Sequence, residues 1–272
     1  MTAVLLSRVY HRAFVTGAST GLGLAFTEML LAEGVEVWGT ARDAARLPQR
    51  AGFHPVTLEL GDGAAAEQAF LAAEKAAGGF DLVINNAGFG AFGGFAETDF
   101  SVWQRQMEIM LINTARLCHL ALRGLIARQR GALVNISSLA AEFPLPYQPA
   151  YNVVKSGLSA LSESLMIELQ GTPVIVIDFR PGDYRTDFEG SVQRPAELTA
   201  PRQRRAWAAF QRLMEGGPAP THAAATLRRA LQRGRSGTVR TGRFFQAVLG
   251  PLLARMGTLT LRRQILARYF NL

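Results

Sequence analysis

Ala13-Phe14-Val15-Thr16-Gly17-Ala18-Ser19-Thr20-Gly21-Leu22-Gly23-Leu24-Ala25-Phe26-Thr27-Glu28-Met29-Leu30-Leu31 is the stretch that decides the architecture. Residues 13–16 are a short apolar, partly β-branched run, which reads as a strand. From Leu24 to Leu31 apolar residues recur at helical spacing, and Gly34 marks the stop. Between the two lies a turn built on Gly17, Gly21 and Gly23. A strand, a glycine turn and a helix start bring backbone N–H groups and the positive end of the helix dipole to one place. Glycine there lets a pyrophosphate approach closely.

Outward from that turn, strand and helix alternate. Strands are expected at 35–41, 55–60, 80–84, 131–136 and 174–179, with helices at 64–77, near 100–128 and near 150–170. The strands are continuous apolar runs, as expected of strands covered on both faces. Alternation with helices predicts an α/β fold: a doubly wound, Rossmann-type parallel sheet with helices on both faces. No linker or repeat breaks the first 190 residues, so the whole chain, 1–272, reads as one domain. After Pro181-Gly182 the rhythm loosens. Residues 190–220 hold four prolines, a Gly216-Gly217 pair and an amphipathic stretch from Arg202 to Met214. That segment reads either as a substrate lid above the strands' carboxyl ends or as a disordered loop.

Composition removes several classes. A single cysteine permits neither an internal disulfide nor a Cys-based zinc module, and the four scattered histidines have no ligand spacing, so no metal is expected. No uninterrupted apolar run reaches membrane-spanning length, and Met1 to Leu6 is too short and wrongly flanked for a secretion signal. A reduced, cytoplasmic protein is the expectation. The net charge of +8 is uneven, since residues 202–272 carry 14 Arg against one acid, Glu215. This basic tail reads either as solvated surface or as a docking patch for something acidic, such as a carrier protein or lipid headgroups. Nucleic acid is not expected, because no reading-head motif is present.

A second constellation accompanies the glycine turn. Asn85-Asn86-Ala87-Gly88 ends the fourth strand, and Asn113 lies in the next helix. Ser138 ends the fifth strand, and Tyr151 and Lys155 open the helix after it. Tyr151 and Lys155 are four apart, so both project from one helical face, with Ser138 on the loop that feeds it. A hydroxyl, a phenol and an ammonium can meet there. Lys155 is one of only two lysines in the chain. Taken singly, Tyr151 reads as packing, Ser137 and Ser138 as caps, and Asn113 as a solvent-facing polar residue; taken jointly they read as catalytic.

In these motifs the chain resembles the short-chain dehydrogenase/reductase family. The match runs through Thr16-Gly17-x-x-x-Gly21-x-Gly23, Asn85-Asn86-Ala87-Gly88, Asn113, Ser138, Tyr151-x-x-x-Lys155 and Pro181-Gly182 with Thr186, over roughly residues 10–190. The resemblance implies hydride transfer between a nicotinamide cofactor and a carbonyl/alcohol pair. It implies Tyr151 as general acid or base, Lys155 as its tuner and ribose contact, Ser138 as the group holding the substrate oxygen, and Asn113 as a water-positioning residue. A nearby ammonium is expected to lower the phenol's pKa. The cofactor contacts implied are Gly17, Ser19, Thr20, Gly21, Leu22, Gly23, Arg42, Asn86, Ala87, Gly88, Tyr151, Lys155, Pro181, Gly182 and Thr186. It also implies a homodimer or homotetramer paired through the helices near 100–128 and 150–170. Some relatives of this fold act instead as dinucleotide-binding sensors or scaffolds.

Cofactor choice is read at the end of the second strand, where Ala41 stands in place of an acid and Arg42 offers a fork for a 2′-phosphate. NADP(H) is expected over NAD(H), although Thr20 stands where many NADP-using relatives carry a second basic residue. Phe89, Phe92, Phe95, Phe143, Tyr147, Tyr184 and Phe188 cluster on loops that either line an apolar cleft or pack the loops. The cleft reading predicts a hydrophobic ketone, aldehyde or alcohol. Residues 242–272 place Phe244, Phe245, Val248, Leu249, Leu252, Leu253, Met256, Leu259, Leu261, Ile265, Leu266, Tyr269 and Phe270 among arginines. That face can lie on a membrane, on the parent domain or on a second subunit.

Overall fold

The computed structural model describes residues 5–252 and 258–272. Met1 to Val4 of the leading apolar stretch, and Leu253 and Met256 of the expected C-terminal face, lie outside the described residues. Strands β1 (Arg12–Val15), β2 (Glu36–Ala41), β3 (Phe53–Thr57), β4 (Leu82–Asn85), β5 (Gly131–Ile136), β6 (Val174–Pro181) and β7 (Gly237–Thr241) make one sheet in the order β3-β2-β1-β4-β5-β6-β7. Every pairing is parallel. The order reverses between β1 and β4, and that switch point opens a crevice at the strands' carboxyl ends.

The continuous apolar runs have a simple cause. Successive side chains of a strand point to opposite faces, and both faces here are covered. Ala13 and Val15 join one core and Phe14 the other; Leu82 and Ile84 oppose Val83; Ala132 and Val134 oppose Leu133. On the first face α1 (Gly21–Ala32) packs with α7 (Pro220–Arg233). On the second lie α2 (Gly63–Ala77), α4 (Asn113–Ala127) and α5 (Pro149–Glu168). Phe14, Phe70 and Phe80 pack ring on ring at its centre, with Phe14 and Phe70 edge-on at 4.9 Å. Asp62 caps α2 by accepting from the Ala64 and Ala65 amides, both at 3.0 Å, and Gly78 ends it in a left-handed turn at φ 68°.

Several elements differ from expectation. The strand expected over 55–60 lies at Phe53–Thr57, and α1 starts at Gly21, within the glycine turn. The helix expected near 100–128 is α3 (Phe100–Met107), a π turn over Glu108–Ile112 and then α4. Together they are long and apolar enough to cross a membrane by length and composition, which the uninterrupted-run criterion missed, but half of the apolar window is buried against the protein. Residues 201–215 form α6 (Pro201–Glu215), and neither α7 nor β7 was anticipated. Gly237-Thr238-Val239-Arg240-Thr241 is a half-exposed edge strand, too polar to announce itself.

Candidate active site

The crevice contains a cavity of about 1440 Å³. The glycine turn forms part of its wall through Gly17, Ser19, Thr20, Gly21 and Leu22. Gly17 and Gly21 take φ of 68° and 56°, which a side chain would strain. A Cβ at Gly23 would overlap the Gly17 carbonyl oxygen and the Asn86 amide, so Gly23 serves packing and does not line the cavity. No side chain caps the N-terminus of α1 and its first turn holds no acid, leaving its amides open to an anion. This cradle fits a dinucleotide pyrophosphate. Asn86 braces it, with its amide donating to the Thr16 carbonyl at 3.0 Å and the Gly17 carbonyl at 3.2 Å. Thr16 Oγ1 accepts from the Asn86 and Ala87 amides at 2.9 Å each. Ala87 and Gly88 line the cavity beyond, as do Pro181, Gly182 and Thr186.

Past the end of β2, Arg42 and Asp43 line one recess together with Arg46, from the 3₁₀ turn Ala44–Arg46. Arg46 is a second cation at this place, supplied from along the chain where the glycine turn carries Thr20. Asp43 spends a carboxyl oxygen on the Ala45 amide at 2.9 Å, and Glu59 one on the Gly61 amide at 2.7 Å.

Pro149 opens α5 and places Tyr151 and Lys155 on the cavity wall. The Ser138 hydroxyl lines the same wall, accepts from the Ala140 amide at 3.0 Å and donates to the Pro181 carbonyl at 3.4 Å. Ser137 turns the other way and donates to the fully buried Asp178, which also accepts from Ser159 at 2.7 Å and Arg180 at 2.7 Å. Buried Lys155 donates to the Ile136 carbonyl at 2.7 Å. Burial pushes the Tyr151 phenol up to about 12, with the Ser138 bond pulling down and the Asp183 charge pushing further up. Desolvation draws the Lys155 ammonium down to about 8, against the Asp178 charge. The expected lowering of the phenol by Lys155 is not what prevails here: burial dominates and moves the phenol upward.

Asn113 is not brought to the cavity. It is buried, its amide donates to the Leu60 carbonyl at 2.7 Å, and its Oδ1 lies against Gly63 without a hydrogen-bond partner among the described residues. As the sequence predicts, it lies in a helix, at the first residue of α4 directly after the π turn.

The family model for short chain dehydrogenase matches residues 11–197. The chain belongs to the short-chain dehydrogenase family. It is similar to an uncharacterized oxidoreductase of Myxococcus xanthus, 34% identical over 197 residues, spanning 68% of this chain and 77% of that one. It is also similar to a probable NADP-dependent dehydrogenase of Haemophilus influenzae, 30% identical over 62% of this chain and 70% of that one. Among solved structures, a short-chain dehydrogenase from Streptomyces avermitilis superposes with a TM-score of 0.82 at 28% identity, covering 94% of this chain and 98% of that one. The Rossmann-type sheet and the oxidoreductase class of this short-chain dehydrogenase follow.

The other half of the cavity is apolar. Phe89, Phe143 and Phe188 line it as the cleft reading expects, and Phe188 meets the Tyr151 ring edge-on at 5.9 Å. Three expected wall residues are corrected. Phe92 is buried against Tyr147 and Trp207, Tyr147 packs there with it away from the cavity, and Phe95 stacks over Trp103 from the surface. Tyr184 lines the cavity as expected, its hydroxyl bonded to Thr241 and His222 at 2.7 and 2.8 Å. Phe210 and Met214 of α6 join the lining. So does the C-terminal segment, in which α8 (Leu259–Tyr269) brings Leu261, Ile265, Leu266 and Tyr269 to the cavity. Of the three readings of that tail, packing on the parent domain holds for buried Phe270 and half-buried Leu266 and Tyr269; Phe244, Phe245, Val248, Leu252, Leu259, Leu261 and Ile265 remain exposed.

Proposed function

We propose that this short-chain dehydrogenase reduces an apolar ketone or aldehyde with NADPH, Tyr151 delivering the proton. The observation that carries this reading is the placement of Ser138, Tyr151 and Lys155 on one cavity wall, continuous with the glycine cradle, with Lys155 Nζ 5.5 Å from the centre of the Tyr151 ring. The reduced nicotinamide, when bound, supplies the hydride. The rest falls to this chain's own residues. Ser138 holds the substrate oxygen toward the phenol, and Tyr151 donates its proton as that oxygen gains charge. With burial pushing it upward, the phenol keeps its proton at neutral pH and has one to donate. Lys155 places a positive charge beside the phenol and holds its own position through Ile136. Asn113 acts at one remove, holding the cavity-lining Leu60 through its carbonyl.

Arg42 and Arg46 support a preference for NADP(H) over NAD(H): both face the recess beyond β2 and no acid ends that strand. The lining by Phe143, Leu145, Phe188, Phe210 and Met214 supports an apolar substrate. Exposed Phe100, Ile112, Val153 and Ile167 on α3, α5 and the π turn support pairing with further copies of the chain. The test is NADPH oxidation across a panel of ketones and aldehydes, with Tyr151→Phe as control. Turnover of apolar carbonyls that falls by about 100-fold or more in the variant is expected. NADPH binding without turnover of any carbonyl favours the sensor or scaffold reading instead.

A further inference from the structure

The apolar side chains that the fold leaves uncovered are unevenly placed. Among the described residues, eight of the 17 large hydrophobic side chains that stay exposed lie between Phe244 and Ile265. Phe244, Val248 and Leu252 recur every four residues through the π turn Phe245–Leu249 and the helical residues that follow it, and Phe244 is 73% exposed. Leu259, Leu261 and Ile265 stand exposed on α8, the last two one turn apart. The two segments are tied together, since Gln246 donates to the Tyr269 hydroxyl at 2.8 Å. Exposed apolar side chains gathered in this way mark a surface that something else covers.

Position and charge say what covers it. Phe245, Leu261 and Ile265 are exposed and also line the cavity, so the patch is the rim of the cavity mouth. Beside it a groove of about 460 Å³ runs between Pro144, Leu145 and Pro146 on one side and Leu259, Leu266 and Leu272 on the other. Leu145 and Leu266 line both spaces, so this apolar groove adjoins the cavity. The charge has one sign: residues 243–272 hold five arginines and no Asp, Glu or Lys. Arg243, Arg263 and Arg268 are exposed. Glu142, next to the cavity-lining Phe143, is already paired with Arg180 and Arg240, each at 2.6 Å. A second copy related by a two-fold axis would set these arginines against themselves, with no acid in the patch to receive them. An anionic lipid surface answers both features, with headgroup charge for the arginines and an acyl layer for the Phe and Leu side chains.

We propose that the rim carrying Phe244, Val248, Leu252 and Leu259 docks on an anionic lipid surface and turns the cavity mouth toward the bilayer, from which the apolar substrate enters. With 11 residues, α8 is too short to cross a bilayer and lies along its surface. The docking stands apart from catalysis. That the entering molecule is a ketone or aldehyde dissolved in the membrane rests on the oxidoreductase reading above and narrows its substrate class.

The experiment floats the full chain with vesicles of phosphatidylcholine, alone or with about 30% phosphatidylglycerol, at about 0.1 M and about 0.5 M salt. The wild type should partition onto the anionic vesicles at least about tenfold more strongly than onto the neutral ones, and lose most of that excess at the higher salt. Phe244→Ser combined with Val248→Ser and Leu252→Ser should weaken binding by about tenfold or more, as should Arg263→Gln combined with Arg268→Gln. Phe244, Val248 and Leu252 do not line the cavity. Reduction of water-soluble hexan-2-one should therefore be unchanged in the triple variant, while that of pentadecan-2-one carried in anionic vesicles should fall by about tenfold. No flotation with either vesicle, or undiminished flotation of either variant, overturns the docking. Absence of flotation with a mass that drops from dimer to monomer in the triple variant assigns the face to a second copy instead. Vesicle-borne turnover that survives in the triple variant overturns the entry route. If neither ketone is reduced, the oxidoreductase reading fails and flotation alone decides the docking. If the triple variant does not fold, the arginine variant carries both comparisons.

Discussion

Lys155 and Tyr151 face one cavity with the lysine Nζ 5.5 Å from the centre of the phenol ring, while its proton is donated to the Ile136 carbonyl at 2.7 Å. The ammonium thus acts on the phenol through space, from a fixed point on β5. Its protonation is under strain from burial, with the fully buried Asp178 as the countervailing charge.

That arrangement predicts a pH profile. Lys155 is drawn down to about 8, whereas Tyr151 is pushed up to about 12. Carbonyl reduction needs the ammonium charged and the phenol protonated, so kcat/KM should fall as pH rises through about 8, well before the phenol ionises. Asp178→Asn removes a charge that favours the ammonium and should move this limb to lower pH. A limb that stays in place in the variant would assign it to another group.

The two adjacent serines should separate cleanly. Ser138→Ala removes the hydroxyl on the Tyr151 wall of the cavity and should lower kcat by about 100-fold with little change in Tm. Ser137→Ala leaves Asp178 one donor short and should cost about 1–3 kcal/mol of stability, with a smaller effect on kcat. Thermal unfolding and steady-state kinetics on both variants check this; equal losses of kcat would remove the distinction.

Arg42→Asp should reverse part of the cofactor preference. It places an acid where the 2′-phosphate would lie, and the ratio of NADPH to NADH affinity should drop by about tenfold or more. Arg46→Ala, from the same recess, should give a smaller drop. Fluorescence titration with both dinucleotides measures the ratio; no change in either variant would take the recess out of cofactor choice.

Gly23→Ala tests the cradle without touching its lining. The added methyl would meet the Gly17 carbonyl and the Asn86 amide, forcing the turn apart. A stability loss of about 1–3 kcal/mol and weakened NADPH binding are expected together. Unaltered dinucleotide affinity would show that the turn does not hold the cofactor.

How far residue order alone could lead is seen by comparing particular positions. The β1–glycine turn–α1 unit, the alternation that follows and the pairing of Tyr151 with Lys155 were all readable, because each depends on contacts within a few residues along the chain. β7 was not, since an edge strand needs only one apolar face and its Arg240 and two threonines hide it. The burial of Asn113 and its bond to the Leu60 carbonyl were not readable either, because they depend on a partner 53 residues away.

Local order therefore carried the fold class, the cradle and the catalytic candidates. Three-dimensional packing alone settled what surrounds them: that burial raises the Tyr151 phenol, that Arg46 joins Arg42, and that residues near 246–269 return to build the far wall around Asp183. The reason is physical. Periodicity and turn chemistry act over a few residues, whereas dielectric environment and cavity lining are sums over segments far apart in the chain, as with Gly17 and Phe270 on one cavity.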